Sequence, residues 1–401
     1  MVWIHGGAFY VGQSNTYRPD ALVAQNVVVV TLNYRLGAFG FLSHPALSAE
    51  QDGASGNYGL MDQQKALAWV NRNIARFGGD RDNVTLFGES AGGFSVNAHL
   101  TAPASQGLFH RAIAMSGAYP FALGQQTLTE AQAQGEAVAA DAGCTGATTT
   151  ACLRGLGTQA LIASMSKVVP SGPIPPVDGR VLPTAVRAAF AAGTQAKVPV
   201  MQGSTHDEWR LFVATGELDG MPATAETFET LVGATLGGPQ VVAAARTFYP
   251  VAAYGNSYPV TLGALGTDLV FACNARAATR LLTAGGNPVY AYEFNDPTAP
   301  QPIPGALSFS TGAAHTTELQ YLFSLGGTPL NAAQKSLSDT MVGYWTRFAR
   351  NGDPNGSGLP AWTPYAAAQD TVQNLAPTVG PITTFAADHK CAIWTPEAPT
   401  P

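Results

Sequence analysis

Two hydrophobic rhythms run through this chain of 401 residues. Short β-branched runs read as strands of a buried parallel sheet: Val27–Tyr34, Val84–Phe87, Arg111–Met115, Val198–Gln202 and Pro288–Phe294. A further apolar strand end, Val2-Trp-Ile4, leads directly into His5-Gly-Gly. Between the strands the spacing becomes helical. Leu67, Val70, Ile74 and Phe77 share one face and stop at Gly78-Gly79, while Leu337, Met341, Tyr344, Trp345 and Phe348 share another and stop at Asn351-Gly352. Strand and helix in alternation predict an α/β fold with a mainly parallel sheet. Ala/Gly/Pro-rich stretches such as 120–190 and 295–312 read as excursions over one end of that sheet. No internal repeat or domain-splitting linker interrupts the pattern, so one domain is expected.

Composition narrows the function. Charged residues make up 11% of the chain, against about 25% in ordinary globular proteins, while hydrophobic residues make up 46%. That balance is the reverse of a disordered chain. Net charge is 20 − 26 = −6 with no basic stripe, so no nucleic-acid partner is expected. The most apolar stretch, Val27 to Leu32, is too short and too β-branched for a membrane span. Met1-Val-Trp-Ile runs straight into His5-Gly-Gly, with no signal-peptide pattern. Four cysteines allow three disulfide pairings, or four buried thiols, and without a CxxC pair no metal site is expected.

Gly88-Glu-Ser-Ala-Gly92 follows the strand Val84–Phe87 and precedes a helical pattern. A serine on so sharp a strand-to-helix turn needs small neighbours, and this context marks Ser90 as a nucleophile. A serine hydroxyl needs a base, and the chain order for such a fold is serine, acid, histidine. His5 and His44 precede Ser90, and His99 and His110 follow it too closely. His206 stands beside Asp207-Glu208. Of the two remaining histidines, elimination favours His315 over His389. The acid is expected after the strand at Val198–Gln202, where Asp207 and Glu208 are adjacent and spacing does not choose between them. His5-Gly-Gly-Ala-Phe offers main-chain N–H groups for a developing oxyanion.

These residues resemble the type-B carboxylesterase/lipase family, which includes the cholinesterases and has the α/β-hydrolase fold. The matching stretches are VWIHGGAFYVG, VVVVTLNYRLGAFGFL, GNYGLMDQQKALAWVNRNIARFGGDRDNVTLFGESAGG, GLFHRAIAMSG, GSTHDEWRLF, GAAHTTELQYLF, LPAWTPY and CAIW. The resemblance implies Glu208 as the acid and His315 as the base. It implies the N–H groups of Gly7, Ala8 and Ala91 as oxyanion donors, supporting roles for Glu89, Ser116 and Glu318, and disulfides Cys144–Cys152 and Cys273–Cys391. It further implies a serine ester hydrolase acting through an acyl-enzyme on a small-molecule ester, without cofactor and in a secreted setting. A lipase for long-chain esters and a non-catalytic, cholinesterase-like binding protein are the rival readings. The expected architecture is one catalytic domain over 1–401, with excursions at about 120–190 and 215–312 forming an active-site cap.

Three departures stand out. Ala8 occupies the place of a third glycine, and Trp209 follows the acid where the family usually has glycine. Because the chain starts inside the strand leading to the oxyanion loop, the family's first strands are expected to be missing, leaving an N-terminally truncated body with an uncovered sheet edge.

Overall fold

The computed structural model describes residues 1–119 and 124–395. They group into two compact units. The first holds the described residues of Met1–Thr16, Val28–Tyr119 and Leu123–Val198, and the second those of Tyr17–Val27 and Pro199–Pro401.

The first unit is built on four parallel strands, β1 (Val2–Ile4), β2 (Val30–Leu32), β3 (Thr85–Glu89) and β4 (Arg111–Met115), in the order β2-β1-β3-β4. Trp3, Ile4, Leu86 and Phe87 are fully buried, and the Trp3 and Phe87 rings meet at 4.8 Å. Helix α1 (Tyr58–Asn73) lies in the crossover from β2 to β3, and helix α2 (Ala91–Thr101) in that from β3 to β4. α1 ends before the sequence pattern predicts. Ile74–Phe77 tightens to a 3₁₀ turn closed by Gly78 at φ 80°, and Phe77 lies exposed, its ring 5.6 Å from that of Trp69. β2 is also shorter than the apolar run that announced it, because only three residues pair with β1. The Ala/Gly-rich stretch after residue 124 is largely helical. Helix α3 (Leu128–Asp141) opens with a capping box between Thr127 and Glu130, and Val138, Leu161 and Met165 share a small core with the Cys144–Cys152 disulfide. Residues 120–123 of the predicted excursion lie outside the described residues.

The second unit repeats the scheme with β5 (Val200–Thr205), β6 (Val289–Phe294), β7 (Val372–Leu375) and β8 (Gly380–Ile382) in that order. β5, β6 and β7 run parallel, and β8 closes the edge antiparallel, with Pro381 opposite Gln373. A proline is tolerated there because an edge strand leaves one face of its backbone unpaired. Tyr290 and Tyr292 of β6 pack against Phe348 and Trp345 of helix α5 (Ala332–Asn351), which starts at an Asn331/Gln334 capping box and stops at Gly352 with φ 75°. Helix α4 (Cys273–Ala284) is the continuation of Tyr258–Gly266 through a π turn, Thr267–Ala272. Mostly parallel strands flanked by helices are the architecture expected of an α/β-hydrolase.

Both disulfides join the expected partners. Cys273 and Cys391 are separated by 118 residues, so their bond removes a large loop-closure entropy from the unfolded chain. A Cys273→Ser/Cys391→Ser variant is expected to lose about 4–5 kcal/mol on the chain-entropy account. Denaturant titration of the variant beside the parent checks it.

Candidate active site

In the first unit, Ser90 stands between β3 and α2 with φ 57° and ψ −124°. A residue with a Cβ holds such a conformation only where its surroundings force it, at an energy of about 1–3 kcal/mol. The surroundings here are glycines. A Cβ on Gly88 would lie 2.6 Å from the Gly92 carbonyl group, and one on Gly92 only 2.0 Å from the Ile4 oxygen. The Ser90 N–H donates to Met115 O (2.9 Å), and Ser90 O accepts from the Phe94 N–H (2.8 Å). The turn is therefore held at both ends.

The glycine-rich loop after β1 lies against this turn. A Cβ on Gly6 would come within 2.9 Å of Ser90 Cβ. Gly7, Ala8 and Phe9 follow with φ of 103°, 52° and 58°, a left-handed run closed by the N–H groups of Tyr10 and Val11 donating to Gly7 O. The Tyr34 hydroxyl donates to His5 O (2.9 Å), which pins the loop's entry. Ala8 adopts positive φ where a third glycine would be usual, and it is exposed. Ala91 begins α2, where a first-turn N–H has no intrahelical acceptor. Glu89 and Ser116 are both buried. Ser116 directly follows β4 at φ 50°, beside the Met115 carbonyl that holds Ser90.

In the second unit, Glu208 follows β5 and is fully buried. Its Oε1 accepts from the Thr205 N–H (2.8 Å), and its Oε2 accepts from His315 Nδ1 (2.5 Å). With Nδ1 engaged by the carboxylate, Nε2 is the ring nitrogen that this contact leaves available. The neighbouring acid has a different task. Asp207 Oδ2 accepts from the Ala313 N–H (3.0 Å), its own N–H donates to Ala313 O (2.9 Å), and Arg210 pairs with its Oδ1 at 2.8 Å. Asp207 thus ties the acid's turn to the histidine's loop, a role invisible in two adjacent acidic letters. Gly312 is required there, since a Cβ would come within 2.2 Å of Asp207 Oδ2. Phe271 and Phe212 flank the His315 ring at 4.9 and 5.5 Å. Glu318 is buried in the 3₁₀ turn Thr317–Tyr321, just after His315.

Trp209 has its own explanation. It packs on Gly266, where a Cβ would lie 2.1 Å from Trp209 Cγ, and its N–H donates to Thr267 Oγ1 (3.0 Å). The bulk of Trp209 is accommodated by the glycine it faces on that helix.

The chain matches the model of the carboxylesterase family over residues 1–394. It belongs to the carboxylesterase family. It is similar to the duck (Anas platyrhynchos) medium-chain fatty acyl-CoA hydrolase precursor, at 34% identity over 91% of this chain and 67% of that protein. It is similar to human cocaine esterase, at 34% over 95% of this chain and 69% of the relative. With para-nitrobenzyl esterase of Bacillus subtilis the identity is 35% over 88% and 71%. This carboxylesterase is accordingly an ester hydrolase.

Two other histidines of the carboxylesterase are accounted for by their surroundings. His99 is buried between Gln63 Oε1 and Ser105 Oγ, each at 2.8 Å, and burial pushes it down to about 3. His389 uses both ring nitrogens on carboxylates, Asp268 at 2.7 Å and Glu293 at 2.6 Å. That contact set, assembled from residues about a hundred positions apart, had no signal in the sequence. Among the described residues no helix is long and apolar enough to cross a membrane.

Proposed function

We propose that the enzyme hydrolyses small carboxylic esters by two-step acyl transfer on Ser90. Ser90 Oγ attacks the ester carbonyl while its proton passes to His315 Nε2. Glu208 holds the ring by Nδ1 and stabilises the imidazolium. The N–H groups of Gly7, Ala8 and Ala91 stabilise the tetrahedral oxyanion. Collapse breaks the bond to the alcohol, which leaves with the proton from His315. Water then attacks the acyl-serine by the same route, releasing the acid and restoring Ser90. Glu89, Ser116 and Glu318 act as buried supports of this machinery. The family model's match over 1–394 supports reading both units as one catalytic domain, with the stretches at about 120–190 and 215–312 as its cap. Two disulfides support an oxidising, extracellular setting.

The observation that carries this reading is the backbone of Ser90, held at φ 57° by the glycines around it. Methanol partitioning tests the acyl-enzyme. Esters that share an acyl group but differ in alcohol are expected to give one constant ratio of methyl ester to free acid. A ratio that changes with the leaving group would rule out a common acyl intermediate.

A further inference from the structure

A buried chain of charged groups sits beside the catalytic acid, and the acyl-transfer steps do not use it. His206, immediately after β5, donates its N–H to Phe294 O (2.9 Å), and its Nδ1 lies 3.0 Å from Glu293 Oε1. The same Glu293 oxygen meets His389 Nε2 at 2.6 Å. His389 Nδ1 continues to Asp268 Oδ1 at 2.7 Å, and the Tyr249 hydroxyl donates to Asp268 Oδ2 (2.7 Å). Asp268 lies in the π turn Thr267–Ala272, whose Thr267 accepts the Trp209 N–H. A π turn inside an α-helix is rare and concentrates at functional positions. The Cys273–Cys391 disulfide anchors both Asp268's helix and the segment carrying His389.

The chain therefore grips the Glu208 turn from two sides, by His206 before it and Trp209 after it. His206, Glu293 and His389 offer ligand atoms within 4.8 Å of one another, a spacing that a metal ion could use. Both ring nitrogens of His389 are already engaged by carboxylates, and a histidine that donates from both is an imidazolium; burial raises Asp268, while its hydrogen bond to His389 opposes that rise. Burial alone would lower His389, but its hydrogen bonds to Asp268 and Glu293 outweigh that and push it up to about 10. Burial alone would raise Glu293, yet its hydrogen bonds to His206 and His389 hold it down at about 2.

We propose that His389 is a positioning residue for Glu208: as a buried cation joining Glu293 of β6 to Asp268 of the π turn, it fixes the two supports between which the acid's turn is strung. The proposal rests on Glu208 acting with His315. A looser turn leaves substrate binding intact and misplaces the carboxylate, and small misplacements of catalytic groups lower rates by about tenfold to a hundredfold.

The test is a double-mutant cycle on kcat for a nitrophenyl ester. His389→Gln is expected to lower kcat about tenfold with KM within about twofold, and to lower it no further in a Glu208→Gln background. An equal loss in both backgrounds would make His389 merely structural, and undiminished kcat in the folded variant would overturn the proposal outright. Should His389→Gln not fold, the cycle is run with His206→Gln, whose side chain is 35% exposed, under the same two criteria. Wild-type kcat in Glu208→Gln alone would instead overturn the catalytic pairing itself, which keeps the two failures apart.

Discussion

Ser90→Ala is expected to lower kcat for p-nitrophenyl acetate by about 10⁴-fold or more, since removing a serine nucleophile typically leaves only the residual catalysis of the binding site and oxyanion donors. The fold is expected to persist. Alanine keeps the Cβ and hence the same backbone strain at φ 57°, and the main-chain bonds to Met115 and Phe94 do not involve the hydroxyl. Ser90→Gly would be inactive as well, but more stable by about 1–3 kcal/mol, because glycine adopts this conformation without strain. An inactive variant that is also more stable than its parent is the mark of a residue kept for chemistry at the expense of folding. Steady-state kinetics and chemical denaturation of the two variants decide the matter together.

Glu208→Gln is expected to lower kcat by about 10³–10⁴-fold while leaving KM nearly unchanged. The substituted amide retains one oxygen that can accept from Thr205 N–H. Its NH₂ would then face His315 Nδ1, so the ring is driven to carry its proton on Nε2, the tautomer that cannot accept a proton from serine. The imidazolium also loses its counter-charge in a site where both groups are buried. Asp207→Asn provides the contrast. Its side chain serves Ala313 and Arg210 rather than the ring, so the loss is smaller and is accompanied by a looser histidine loop.

What the sequence made legible was local. Gly88, Ser90 and Gly92 are close in the chain, and the steric demand that links them operates over five residues. β4 was readable to the residue because its run is apolar and closed at both ends. β7 and β8 were not, since Gln373, Asn374 and Pro381 break the apolar pattern and their pairing comes from neighbours in space. Phe77 misled for a related reason: it has the right period, but the helix tightens before it and leaves the ring on the surface. The choice between Asp207 and Glu208 needed either a family resemblance or contacts formed with residues more than a hundred positions away. The same is true of His389, a candidate base by position and a buried bridge by its surroundings.

The central claim, that Ser90 is the group acylated in turnover, is tested most directly by intact-mass analysis and peptide mapping after treatment with an organophosphate serine probe. The account predicts one adduct per chain, located on the peptide containing Ser90, with labelling strongly slowed in Glu208→Gln. An adduct on another residue, or a catalytically active chain that takes no label, would contradict it.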